Sequence, residues 1–526
     1  MEKDIKTGRD SGMRKKISKL WKKGLNTEPE FNEETNTEII ELKKQDISAN
    51  YDKNLAIFKS LFSVPDNIDV KVREFTITTL NRRGFIIYLS SMVGLQIIMD
   101  SIMEPLLDNE HPAENILDIV SYPIASTKKN IGEITEFITG GNTALFVDGD
   151  DQCYLFETTQ ISGRSIEKSD NEVIVKGAKE AFNERVIDNI ALIRKKIKNE
   201  NLLVETQTIS KRSRNNVFLV YQKDLVNEEL LKNIKDRLSS FDVDTIIDLS
   251  ILEQYLEERP RSIFPTLLYT ERPDRASAYI EEGHIVLLME NSPAGLILPA
   301  TFWALFHSPE DHYLRTPYGN FIRFLRFLAL FVAVFTSSIY IAITNFHVGM
   351  IPPDLLMAIA GTRERVPFPS IIEVLMMEIA FELIREAGLR VPSPIGPTIG
   401  IVGALILGQA AVQANIISPI VIIVIALSGL SSFIISDLSM NFAIRITRFL
   451  FIFSAGFMGI YGVTALFIGG LYYVVSLKSF GTPYFAPMTP HSFSSKDLLI
   501  RHVPMVERFR PGYLKPKDMV KQRKES

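Results

Sequence analysis

Cysteine is almost absent from this chain: Cys153 is the single one in 526 residues. A disulfide framework and a CxxC metal or redox site are thereby excluded. The opening residues lack the apolar stretch of a cleavable signal peptide, so none is expected. No nucleophile elbow, Walker A loop, GxGxxG or HExxH pattern occurs, and nothing argues for an enzyme or a cofactor. Metal signatures are missing too. His307-Ser-Pro-Glu-Asp-His312 gathers two histidines and two carboxylates, but the spacing fits no ligand set and a proline interrupts it. Asp148, Asp150 and Asp151 lack the Glu that an EF-hand loop would place at Thr159, and read as turn residues. Nor is there any bilayer-length apolar run before Phe327.

What is present is sharply divided. Hydrophobic residues make up 46% and charged residues 23%, averages that hide a charged first half and an oily second half. The net charge of -4 says little, because the charges are clustered. Basic residues from Arg14 to Lys23 open the chain, and others from Arg508 to Lys524 close it. Nucleic-acid binding would need such residues on a folded, aromatic-studded surface. In tails that flank apolar spans, contact with anionic membrane lipids is the better expectation.

The first half predicts an α/β soluble region of two subdomains. Residues 1–50 have no apolar periodicity and read as a disordered charged tail, with an alternative surface helix near Ile17, Leu20 and Trp21. Residues 51–200 form the first subdomain, ending in a linking helix from about Ala178 to Asn199. Its strand candidates are Phe85–Ser90 and the hairpin Ala144–Val147 with Cys153–Phe156, and a helix is expected near Leu95–Leu107. Residues 201–310 form the second, with strands at Val217–Tyr221 and Thr245–Asp248, a helix at Asn227–Ser239, and the hairpin His284–Met289 with Ala294–Leu298. No repeat is visible between the two.

Residues 311–478 then predict an α-helical transmembrane domain of about four spans: Phe327–Ile343, Thr398–Ala414, Pro419–Ile435 and Phe449–Leu477. Residues 479–526 are expected as a basic cytoplasmic tail. Four spans return both termini to the cytoplasm, yet place Arg445 and Arg448 in an outer loop, against the positive-inside rule.

Between the spans, Ser370–Glu386 is too polar to face lipid and too apolar for a loop, and predicts an amphipathic interfacial or re-entrant helix. Glu378, Glu382 and Glu386 share one face at helical spacing. They form either a carboxylate row along an ion path, which an oligomer would turn into rings, or a solvated face partly neutralised by Arg385. Glu373 lies in a capping-box pattern and reads as structural. Gln409 and Gln413, four residues apart within a span, either hold helices together or line a polar conduit. Gly403 and Gly408, and the three-spaced Gly456, Gly459 and Gly462, read as helix-packing seams rather than hinges.

Several segments together resemble the GerA-type spore germination receptors, A subunit. They are Lys176–Phe182 with Asn189–Lys195, Thr270–Arg275, Pro309–Tyr313, Val366–Ser370, Glu382–Gly388, Ile399–Val412 and Ser479–Pro487. The likeness runs over roughly residues 55 to 490, with Ala178-Lys179 departing from the family's usual proline and basic residue. The resemblance implies a multi-pass protein of the spore inner membrane with its soluble region on the core side. It implies a homo-oligomer working with a transporter-like B subunit and a lipoprotein C subunit, and passing cations once nutrient is sensed. A non-conducting scaffold of the receptor, or the related stage V sporulation AF-type protein, is the alternative.

Overall fold

In the computed structural model the described residues are 40–108, 116–120, 122, 125–160, 169, 172, 174–390, 396–492 and 498–522. The surface helix considered near Trp21 and the opening basic cluster lie outside them. Two five-stranded antiparallel sheets fill the first half. One has the order β1-β2-β4-β5-β3, from β1 (Val70–Ile77), β2 (Arg82–Leu89), β3 (Ala125–Lys128), β4 (Thr143–Val147) and β5 (Cys153–Phe156). The other has the order β6-β7-β9-β10-β8, from β6 (Leu202–Thr208), β7 (Asn216–Gln222), β8 (Leu268–Thr270), β9 (Ile285–Met289) and β10 (Gly295–Leu298). Counted within each sheet, the two orders are identical.

The helices repeat as well. In each unit a helix precedes the first strand, helices follow the second, and one helix separates the third strand from the closing hairpin. In the first unit these are α1 (Tyr51–Leu61), a helical segment over 95–108 with a π-helical turn, and α2 (Ile131–Thr139). In the second they are α3 (Val186–Lys196), α4 (Glu228–Ser239) with α5 (Leu249–Leu256), and α6 (Pro273–Ile280). Each sheet is buried on both faces because apolar side chains alternate along its strands. Phe85, Ile87 and Leu89 face α1 and α2, while Ile86 and Tyr88 face Ile98 and Ile102. In the second sheet Leu219 and Leu287 face α4 and α5, while Val220 and Val286 face α3 and α6.

Three expectations are corrected here. The linking helix is only Val186–Lys196, with Ala178 to Arg185 irregular ahead of it. Residues 245–248 are not a strand; Asp248 is the N-cap of α5, its carboxylate accepting from the Ser250 backbone N–H at 3.2 Å. The closing segment is packed rather than trailing: Leu514 joins the core of the second sheet and the Lys517 N–H donates to the Leu225 carbonyl. The two units are joined through Arg194 of α3, whose Nε lies 3.0 Å from Asp69 with both side chains buried.

The second half is a helix bundle: α7 (Thr316–Phe346), α8 (Pro353–Arg363), α9 (Ser370–Arg390), α10 (Gly396–Gln413), α11 (Pro419–Ser432) and α12 (Leu438–Ser476). By length and composition α7 and α12 are long and apolar enough to cross a membrane. Yet α12 is not one rod. Gly459 sits at φ 59°, ψ -140°, outside helical space. A side chain at Gly462 would collide with the Ser454 carbonyl, eight residues back, which in a straight helix lies about 12 Å away. Phe335 on α7 meets both Phe451 (4.8 Å) and Phe467 (5.6 Å), each eight residues from Gly459. The chain therefore reverses at Gly459, and α12 is two antiparallel arms about 25 to 30 Å long.

The helices therefore run through the bundle in alternating directions. From the soluble side α7 runs outward, α9 returns, α10 runs out, α11 returns, and the arms of α12 go out and back. Contacts fix these directions: Ser370 bonds Asn345 at the far end, Arg385 reaches Ser432 at the near end, and Arg259 of the soluble region bonds Ser476 at 3.0 Å. Six helical passes thus stand where four were expected, and α9 is one of them. Arg445 and Arg448 lie in the first arm of α12, on the half nearer the soluble region.

Candidate functional site

Helix α9 buries a stripe of Val374, Met377, Glu378 and Arg385 at helical spacing. Glu378 is 0% exposed, so its face is not a solvated one. An unpaired carboxylate there would be costly, and the neighbouring helices supply its partners. Ser337 of α7 donates to Glu378 at 2.7 Å, Ser428 of α11 at 3.3 Å, and Arg448 of α12 stands 2.9 Å away. The same guanidinium reaches Glu382 at 2.6 Å, and Arg445 pairs with the other oxygen of Glu382. Arg385 donates to the Gly429 carbonyl at 3.1 Å and to Ser432 at 2.7 Å, and stacks 4.2 Å over Phe433. Two glutamates and three arginines thus tie α7, α9, α11 and α12 together in the half of the bundle nearer the soluble region.

The sequence-predicted residues fall into two groups that the fold does not unite. Glu378 and Glu382 belong to this ion-pair cluster, whereas Gln409 and Gln413 stand exposed on α10. Glu373 is corrected: it does not cap its own helix but accepts the Ser418 N–H at 3.0 Å, fixing the start of α11. A methyl group added at Gly403 or Gly408 would meet Ile384 or Ile422 at ordinary van der Waals distance (3.9 and 3.7 Å), so neither position requires glycine for close packing. Gly456 allows close approach of Ile371, and Gly459 turns the chain while leaving no room for a side chain against Phe346. Sequence reasoning missed Arg445, Arg448, Ser337 and Ser428 as site residues. The usable signal was complementary spacing: Glu at i, i+4 on α9 and Arg at i, i+3 on an apolar helix.

A second buried cluster stands where the soluble region meets the bundle. Asp311, from the segment once weighed for metal, lies 3.1 Å from Arg323 and 2.8 Å from Arg326 of α7. Among the described residues no cluster of metal-binding side chains occurs. Burial alone would raise the Asp311 pKa, but Arg326 and Arg323 outweigh it and hold the carboxyl below the ordinary range. Arg501 donates to the Asp311 and His312 carbonyls at 3.0 and 3.1 Å, clamping the C-terminal segment onto the same joint.

Two α/β units of one topology, joined by a charge-locked segment to an apolar helix bundle with an internal ion-pair cluster, define the class of architecture. The chain belongs to the Bacillus/Clostridium GerA spore germination protein family, whose model matches residues 56–513. It is 36% identical to spore germination protein KA of Bacillus subtilis over 91% of this chain and 89% of that one. It is 34% identical to spore germination protein A1 of the same organism over 80% and 88%. Among solved structures, the N-terminal domain of the A subunit of the Bacillus megaterium spore germinant receptor GerK3 aligns over 49% of this chain and 98% of that one, at 26% identity and a TM-score of 0.39.

Proposed function

We propose that this chain is the A subunit of a nutrient germinant receptor in the spore inner membrane. It forms a homo-oligomer that passes cations when nutrient is sensed, together with a transporter-like B subunit and a lipoprotein C subunit. The soluble region faces the core, and no catalytic role is assigned to it. The observation that carries the reading is the separation of two polar sets within an apolar bundle. Glu378 and Glu382 are locked into arginines across four helices, while Gln409 and Gln413 stand on an outer face of α10. The ion pairs act as a latch on the helix arrangement, and the amides line the conduit where copies of α10 meet.

The test is potassium release from nutrient-triggered spores, with receptor abundance checked by immunoblot. Glu382→Gln weakens the latch and is expected to give release without nutrient; Gln409→Leu is expected to slow triggered release severalfold. Unchanged release in both, at normal abundance, overturns the conduit and favours a non-conducting scaffold.

A further inference from the structure

A cavity of about 340 Å³ lies at the joint between the soluble region and the bundle. Three separate parts of the chain enclose it: α6, the segment 301–313 that leads into α7, and the C-terminal segment. Its volume suits a small organic molecule. Aromatic rings dominate the wall, with Trp303, Tyr279, Tyr313 and Tyr513, and the acids Asp274 and Glu507 stand among them.

The hydrogen-bonding state of this wall selects a ligand. Asp274 Oδ2 is used by Arg272 at 2.7 Å and by the Tyr313 hydroxyl, but buried Oδ1 has no hydrogen-bond partner among the described residues. Glu507 Oε1 likewise has no hydrogen bond, only a long ion pair with Arg501 at 3.7 Å, and the Trp303 indole N–H has no acceptor among the described residues. Trp303 is 5% exposed, so water reaches it little. Buried polar atoms of this kind call for partners. The cations of the wall are already engaged: Arg275 by Glu172 at 2.6 Å and Lys521 by Glu282 at 3.5 Å. Two acceptor oxygens among aromatic faces therefore favour a cation, bound by charge-assisted hydrogen bonds and by ring faces. The indole N–H is left for a hydroxyl or carbonyl of the same molecule.

We propose that this cavity binds a small organic ammonium compound. Occupation bears on the bundle directly. Arg275 donates to the Ala304 and His307 carbonyls at 2.8 and 3.2 Å, and the next turn carries Asp311, which holds Arg323 and Arg326 of α7.

The chain has two tryptophans, Trp21 and Trp303, so a Trp21→Phe variant leaves Trp303 as the only reporter. The full chain in detergent is titrated with ethanolamine, phenethylamine and the anion 3-phenylpropionate, following indole fluorescence. Saturable change with an amine and none with the anion is expected. Glu507→Gln is expected to weaken amine binding roughly tenfold. Ala278→Phe, at an exposed α6 position on the cavity wall, fills the space while keeping every charge, and is expected to abolish the response. No saturable change with either amine, an equal response to the anion, or undiminished binding in Ala278→Phe overturns the proposal. No step depends on ion release, so its failure is distinct from failure of the receptor reading.

Discussion

The two buried charge clusters use the same chemistry for different ends. At the joint, Asp311 meets Arg323 and Arg326, partners 12 and 15 residues away on the next helix. In the bundle, Glu378 and Glu382 meet arginines more than sixty residues away, and Ser337 and Ser428 come from two further helices. The first cluster fixes one segment to the helix it precedes. The second exists only when four helices are assembled, so it reports on, and resists, their rearrangement. A buried ion pair is weak evidence of net stability, but breaking one strands a charge. In the proposed function the bundle cluster serves as a latch, whereas the joint cluster ties one segment to the helix that follows it.

The sharpest way to break this comparison is Arg448→Leu, which strands Glu378 and leaves Glu382 to Arg445. A loss of about 3–5 kcal/mol is expected, measured by thermal unfolding of the detergent-purified chain. Adding Glu378→Gln to Arg448→Leu should recover much of it, since it removes the stranded carboxylate; no recovery would mean that Arg448 acts through packing.

Asp311→Asn should cost about 3 kcal/mol by stranding Arg323 and Arg326. Its acid dependence separates the ion pair from packing. The carboxyl titrates below its unfolded value of about 3.9. Its contribution is therefore full above that value and is lost as pH falls through the lower folded value. The variant should lack that loss when unfolding is followed across acidic pH; an identical acid profile would remove Asp311 from the account.

His284 supplies the smallest contrast, a buried group whose ring bonds a backbone carbonyl rather than a carboxylate. Burial holds its imidazole at about 3, and Nδ1 lies 3.2 Å from the Tyr279 carbonyl. Its stabilising effect is complete above the unfolded value of about 6.5 and declines as pH falls toward the folded one. Between pH 7 and pH 5 that amounts to about 2 kcal/mol. His284→Asn should flatten this part of the pH–stability curve, while Asp311→Asn leaves it untouched.

Local signals carried part of the fold. Continuous apolar runs such as Phe85–Leu89 marked β2, β4, β5, β7, β9 and β10, because strands buried on both faces are apolar throughout. Edge strands β1 and β6 were not legible: Val70–Ile77 and Leu202–Thr208 mix charge with apolar residues, as a half-exposed edge does. The common topology of the two units was invisible for a related reason. A shared order of strands constrains which positions are apolar, not which residues fill them.

The sequence by itself determined the division into a charged and an oily half, the family, and the presence of acids and amides among apolar helices. These depend on composition and short spacing, which one helix or strand expresses alone. Only the tertiary structure decided that Gly459 reverses the last helix, that six passes replace four, and that Glu378 and Glu382 are paired rather than displayed. Each of those outcomes depends on which distant helix lies alongside. A carboxylate is a pore lining or a latch according to what faces it, and its partners here come from three other helices.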